Sequence, residues 1–265
     1  MSACSIIDLG LIGYAEAWEL QKRVVAARKA GAIEDVLLFC EHPHVITLGR
    51  SGKRANLLAG ENVLRQKGVE YFETSRGGDI TYHGPGQIVG YPILNLGAIR
   101  RDVVWYVRML EEAMIRASAE LGIVARREAG KTGIWVEEGT VARAGLPDTS
   151  GSSLATRHSP LATAVAAEKL AAIGVHISRW VTSHGFAYNV ATDLRYFELI
   201  VPCGMAERKA TSLEKLMGRR VGTEEVKPLL AKHLGEVFGL QMQPAGREDL
   251  LQQLEIAEQA LALPA

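Results

Sequence analysis

Residues 76–87 read R-G-G-D-I-T-Y-H-G-P-G-Q, with four glycines and one proline in twelve positions. No other stretch of the chain is so unlike a hydrophobic core. Gly77, Gly78, Gly84 and Gly86 can take positive φ or let a ligand come close to the backbone. Arg76, Asp79, Thr81, Tyr82 and His83 add donors, acceptors and a titratable ring around Ile80. A β-hairpin connection with polar side chains facing solvent would have a similar composition, so glycine content alone does not make this a site. The stretch is not a phosphate loop, because it contains neither G-x-G-x-x-G nor G-x-x-x-x-G-K-[ST]. Apolar strand-like runs lie on both sides, at residues 69–74 and 88–94, so a rigid sheet is expected to hold it in place.

The rest of the composition narrows the classes of function. With 265 residues and 48% apolar content, the chain can bury a sizeable core. Thirty basic residues balance thirty acidic ones, so no global field recruits nucleic acid or an anionic membrane. The beginning M-S-A-C-S-I-I-D-L-G lacks the basic and apolar regions of a signal peptide, and no run of eighteen apolar residues occurs. A cytoplasmic protein is the expectation. Cys4, Cys40 and Cys203 form no C-x-x-C pair, which argues against a disulfide framework and a cysteine-rich zinc site.

Strands are expected at residues 5–9, 36–40, 45–48, 69–74, 88–94, 123–126, 132–136 and 175–180, with Pro92 placing the fifth at an edge or a bulge. Helices are expected at 14–30, 61–67, 103–121, 213–218, 224–238 and 247–260, with Asp102 and Thr223 as N-caps. Tyr14, Ala17, Trp18, Val24 and Val25 should form the buried side of the first helix. Val103, Trp105, Tyr106, Met109, Leu110, Ala113, Met114 and Ala117 should do so on the third. Cys40, inside an apolar run, reads as a packed hydrophobe. His42 and His44 lack a second ligand pair at usable spacing, so a loop or substrate contact is expected there, not zinc. Residues 137–163 are rich in Gly, Pro, Ser and Thr and read as a mobile surface insertion. Cys203 sits between Pro202 and Gly204, on a turn where an accessible thiol could act as a nucleophile if a neighbour lowered its pKa.

Four motifs, taken in order, resemble the lipoyl(octanoyl) transferase family: residues 76–87, K-T-G-I-W-V at 131–136, A-A-I-G-V at 171–175 and V-P-C-G at 201–204. E-H-P-H-V-I-T-L-G-R at 41–50 and S-H-G-F-A-Y-N-V at 183–190 extend the match from about Ser5 to about Leu240. The resemblance implies a mixed α/β (α+β) single domain of the biotin/lipoate protein ligase catalytic type. It would span residues 1–242 with the insertion inside it, followed by a helical tail at 243–265. It further implies Cys203 as acyl-thioester nucleophile and Lys169 as the lysine that lowers its pKa. The acyl-binding segments would be Arg76 to His83, then Ala172, Ile173 and Gly174, then Gly185, Phe186 and Ala187. The insertion before Lys169, and His44 where many relatives have proline, depart from the family pattern.

The resemblance implies transfer of an octanoyl group from octanoyl-acyl carrier protein to a lipoyl-domain lysine, in 2-oxoacid dehydrogenase complexes or the glycine cleavage H protein. It implies no metal, ATP or other cofactor, no nucleic-acid or membrane partner, and a monomer. Thioester exchange is nearly thermoneutral and thioester to amide runs downhill, so no energy source is needed. Backbone amides of the glycine stretch, or of Cys203 and Gly204, are candidates for the oxyanion site. Arg50, Lys53, Arg54, Arg219 and Arg220 are candidates to meet an acidic carrier. The alternatives are an ATP-dependent lipoate or biotin ligase on the same fold and a non-catalytic acyl-binding scaffold. A serine hydrolase is disfavoured by the lack of G-x-S-x-G.

Overall fold

The computed structural model describes residues 2–137, 167–201 and 209–262. Cys203 and the expected insertion at 137–163, apart from Glu137, lie outside them. Ten strands occur among the described residues: β1 (Ser2–Leu11), β2 (Asp35–Glu41), β3 (Val45–Leu48), β4 (Glu70–Glu73), β5 (Ile80–His83), β6 (Gln87–Ile93), β7 (Ile134–Val136), β8 (Glu168–Ser178), β9 (Val181–Asn189) and β10 (Leu240–Pro244). The helices are α1 (Tyr14–Lys29), α2 (Glu61–Gln66), α3 (Leu96–Ile99), α4 (Val103–Glu120), α5 (Leu213–Met217), α6 (Thr223–Phe238) and α7 (Arg247–Ala262).

Seven strands form one sheet in the order β10-β1-β2-β6-β9-β8-β7, and β4-β3-β5 form a second, smaller sheet. The β1–β2 and β1–β10 pairs are parallel, and the other pairs of the large sheet are antiparallel. The apolar run of β2 follows from burial on both faces. Leu37 and Phe39 pack into the core under α4 and α6, while Val36, Leu38 and Cys40 pack into the core under α1. Leu250, Leu254 and Ala257 seat α7 in that second core. A third cluster fills the small sheet and includes Ile46, Leu64, Ile80, Tyr82 and Ile200.

The structure revises several local expectations. β6 is central, not an edge, although it carries Pro92. The β6–β9 ladder ends at Gly90 and Phe186, so the missing N–H at Pro92 falls beyond it. There the Thr182 hydroxyl donates to Pro92 O at 2.7 Å and accepts from Leu94 N at 2.8 Å, bridging the gap. The glycine-rich stretch is not one connection, because β5 forms inside it and pairs with β3. Residues 168–178 form one long strand through Gly174 instead of two segments, Arg179 and Trp180 make the turn, and 181–189 form its partner. No strand forms within 123–126, which holds isolated bridge residues at Ile123 and at Arg126, the latter pairing with Trp135. Gly222, not Thr223, precedes α6, and Glu225 Oε1 accepts its N–H at 3.1 Å.

Asp102 does cap α4, its Oδ1 accepting from Trp105 N at 2.9 Å. Val103, expected in the core, is 46% exposed at the start of that helix. Trp18 and Val25 of α1 are only partly buried, whereas Leu20, Gln21 and Ala27 are buried.

Candidate active site

The long hairpin of β8 and β9 forms one wall of a cavity of about 560 Å³. β5 with the turn before it, Tyr14 of α1, and residues 130–132 close it. Arg76, Gly77, Gly78, Asp79, Ile80, Thr81, His83, Lys169, Ala172, Ile173, Gly174, Gly185, Phe186 and Ala187 all line it. Segments at 76–83, 169–174 and 185–187 thus share one cavity. Tyr82 does not line it: its ring is buried in the small sheet's core, its hydroxyl is 2.7 Å from His44 Nδ1, and Tyr196 stacks on it. Along β5 Tyr82 faces the opposite way from its cavity-lining neighbours Thr81 and His83.

The glycines let backbones meet. Gly77 N donates to Val175 O at 2.8 Å, and a Cβ on Gly174 would stand 2.8 Å from Gly77 O and 3.1 Å from Arg76 Cδ. The Gly77 amide is therefore engaged and is no longer a candidate oxyanion donor. Arg76 is buried, and its guanidinium donates to Thr47 O at 2.6 Å, to Thr47 Oγ1 and to Gly77 O. Asp79 holds the neighbouring loop in the same way: its carboxylate accepts from Asn56 Nδ2 at 2.6 Å and from Lys53 N. These two charges organise the cavity wall as much as they face its space.

Lys169 stands at the start of β8 with Nζ 4.6 Å from the centroid of the Trp135 ring, a cation–π contact. Its N–H donates to Lys209 O, and its carbonyl accepts from Thr211 N, both at 2.9 Å. The segment that follows Cys203 in sequence thus returns to the chain beside Lys169. Lys209 and Ala210 also line the cavity. Reading the sequence did not single out either one, because a three-residue pairing to a distant strand leaves no periodicity.

Most other titratable groups of the cavity are held uncharged. Burial pushes the His83 imidazole down to about 3, helped by His42 and Arg76 nearby. Burial, with Arg76 and His176, does the same to His184. Tyr14 is pushed up to about 12 by burial. His42 sits between Ile12 O and the Tyr91 hydroxyl, both at 2.7 Å, and His44 stacks on Tyr196. Among the described residues no group of three or more His, Cys, Asp or Glu could hold a metal ion. Of the expected carrier contacts, Arg54 lies 3.8 Å from Glu61 and 3.7 Å from Glu73, and Arg219 pairs with Glu225.

The lipoyl protein ligase A/B catalytic domain profile matches residues 13–235. The octanoyltransferase of Solibacter usitatus is 47% identical over 244 residues, covering 92% of this chain and 97% of the relative. That of Acidobacterium capsulatum is 47% identical over 247 residues, covering 90% and 91%. The chain belongs to the octanoyltransferase family. It is therefore an acyltransferase of protein lipoylation. The fold of the family is shared with lipoate ligases. A bi-partite lipoate protein ligase from Thermoplasma acidophilum superposes with a TM-score of 0.69 at 15% identity, covering 97% of this chain and 93% of that one. A lipoate-protein ligase A bound with ATP gives 0.68 at 14% identity, covering 97% and 95%. Among the described residues no helix is long and apolar enough to cross a membrane.

Proposed function

We propose that this octanoyltransferase takes the octanoyl group from octanoyl-acyl carrier protein onto Cys203 as a thioester and passes it to the target lysine of a lipoyl domain. The observation that carries the proposal is the cavity itself. It has an apolar lining that includes Val89, Ile173, Phe186 and Ala187, with the Lys169 ammonium on its wall. At about 0.8 kcal/mol per buried methylene, an eight-carbon chain gains on the order of 5 kcal/mol from such a slot. One methylene discriminates by only about 1 to 3 kcal/mol, so ten carbons are disfavoured and not excluded.

In the first step the Cys203 thiolate attacks the donor carbonyl. The tetrahedral adduct expels the carrier's thiolate, which takes a proton. In the second, the neutral amine of the acceptor lysine attacks the Cys203 thioester, loses a proton, and expels the Cys203 thiolate. Lys169 stabilises that thiolate and passes the protons. Cys203 is two residues after Val201, whose N–H donates to Asn56 O, and six before Lys209, whose carbonyl accepts from Lys169 N. One flank is thus held by Asn56, which in turn bonds the cavity-lining Asp79, and the other by Lys169 itself, which supports the pairing of Cys203 with Lys169. The acceptors are lipoyl domains, the enzyme works as a monomer, and no ATP or metal takes part.

The test is the intact mass of wild type and Cys203→Ser after brief exposure to octanoyl-carrier protein without lipoyl domain, ATP or metal. A hydroxylamine-labile octanoyl adduct on the wild type, absent as a thioester from the variant, is expected. An unmodified wild type that acylates a lipoyl domain only when ATP is added would make the chain a ligase on the same fold.

A further inference from the structure

A line of buried side-chain amides crosses from the small sheet to the large one, and two backbone carbonyls set its direction. Gln87 Nε2 donates to Tyr82 O at 3.2 Å and to Asn189 Oδ1 at 2.9 Å. A carbonyl can only accept, so the amide nitrogen must face it, and Gln87 Oε1 is turned to His83 Nδ1 at 2.7 Å. Asn189 is fixed in the same manner, because its Nδ2 donates to Thr211 O at 2.9 Å. His83 must then carry its proton on Nδ1, with Nε2 as a bare acceptor. Nε2 faces Thr47 Oγ1 at 3.4 Å, and that oxygen already accepts from Arg76 Nε and Nη2. Its own hydrogen is left to point at the imidazole.

At the other end, Thr211 N donates to Lys169 O, and Lys169 N donates to Lys209 O. The line therefore runs without reversal from Arg76 through Thr47, His83, Gln87, Asn189 and Thr211 to the backbone of Lys169. Thr47, His83, Gln87, Asn189 and Thr211 are all buried, which strengthens these bonds. Gln87 and Asn189 are also paired residues of β6 and β9, which makes the link rigid. His83 and Lys169 both line the acyl cavity, on walls contributed by different sheets.

We infer that Gln87 and Asn189 are positioning residues that couple the tautomer of His83 to the seating of Lys169 across the acyl cavity. The inference rests on the reading of Lys169 as the catalytic lysine. Two substitutions separate its ends. Gln87→Met keeps the volume and removes the partner of His83 Nδ1. Asn189→Asp still accepts from Gln87 and can no longer donate to Thr211 O.

The experiment is long-range ¹H–¹⁵N spectroscopy of histidine-labelled full-length protein, run beside steady-state kinetics with octanoyl-carrier protein. Wild type should show His83 protonated at Nδ1. Gln87→Met should move the proton to Nε2 or mix the tautomers, and Asn189→Asp should leave it in place. Both variants should lose about tenfold to a hundredfold in kcat, as misplacement of a reacting group by an ångström does, with little change in KM for the donor. Folded variants with wild-type kcat, or an unmoved tautomer in Gln87→Met, would overturn the inference. A fully active Lys169→Ala would instead remove the reading beneath it, and the tautomer result would stand apart from that failure.

Discussion

Gly174 and Gly77 touch where no side chain fits: a Cβ on Gly174 would come within 2.8 Å of Gly77 O, and the Gly77 amide donates to Val175 O at 2.8 Å. This contact fastens the glycine-rich turn to β8 where the ladder with β7 has already ended, and both glycines line the cavity.

Gly174→Ala is expected to push the turn away from β8. The obstacle is backbone and not a flexible side chain, so the cost is about 1 to 3 kcal/mol of stability. A raised KM for the octanoyl donor should accompany it. Gly13→Ala, where a Cβ would meet nothing within 4 Å, is the control and should stay within about 1 kcal/mol of wild type in urea unfolding.

Glu111 was not singled out in the sequence, yet it is the fully buried carboxylate of α4. It accepts from Arg108 at 2.7 Å, from Arg127 at 3.2 Å and from Gly133 N at 3.0 Å, fixing the entry to β7. Glu111→Leu should destabilise by about 1 to 3 kcal/mol, chiefly through the unpaired Gly133 amide. The larger figure usual for a broken buried pair does not apply, because both arginines are partly exposed and can turn to water. The unfolding free energy of the variant measures this.

Native thiol labelling should spare two of the three cysteines. Cys4 and Cys40 are fully buried, and burial pushes the Cys4 thiol up to about 12 and that of Cys40 higher still. Any rapid reaction of the folded protein with a disulfide reagent at neutral pH therefore reports Cys203. Peptide mapping that finds fast label on Cys4 or Cys40 would contradict the burial of those thiols.

Stability should fall as the solution is acidified through the histidine range. His42 is held down to about 4, and His83 and His184 to about 3, in each case first by burial. The unfolded chain binds these protons near pH 6.5, so between there and about pH 3 to 4 it holds more protons than the native state. Their contribution is complete above about pH 6.5 and is lost as pH falls, by up to about 1.4 kcal/mol per pH unit for each imidazole. Urea unfolding at pH 7 and pH 5 should show the decline, and His184→Gln should make it shallower.

Lys169→Ala should reduce turnover by about a hundredfold or more, as loss of a proton-transferring group does. On the proposed mechanism the acidic limb of the pH–rate profile should also move up, because the Cys203 thiolate would lose an ammonium neighbour. A profile that keeps its shape in the variant would argue against that electrostatic role.

Much of the architecture was legible in one dimension. The runs at 36–40 and 45–48 are apolar because their strands are buried on both faces, and Asp102 announces the start of α4. Pro92 misled because a proline is excluded only where its nitrogen faces a ladder partner. Here the ladder on that side ends at Gly90, and the Pro92 carbonyl is met by a single hydroxyl, Thr182, ninety positions downstream. β10 escaped notice for a similar reason: it is short and half-exposed, and its strand identity comes from pairing with β1.

The sequence by itself determined which segments could meet a ligand. Clustered glycines and polar side chains are costly in a core and useful where backbones converge, so the stretch containing Arg76 stood out by composition, and those containing Ala172 and Gly185 through their resemblance to family motifs, before any geometry was known. Only the tertiary structure decided which atoms of those segments remain available. It engaged the Gly77 amide with Val175, turned Tyr82 into the small sheet, and set Lys209 to Thr211 against Lys169. The division has a physical cause. Propensity and patterning are local energies carried by each residue, whereas hydrogen-bond partners and close approach depend on chain segments that only folding brings together.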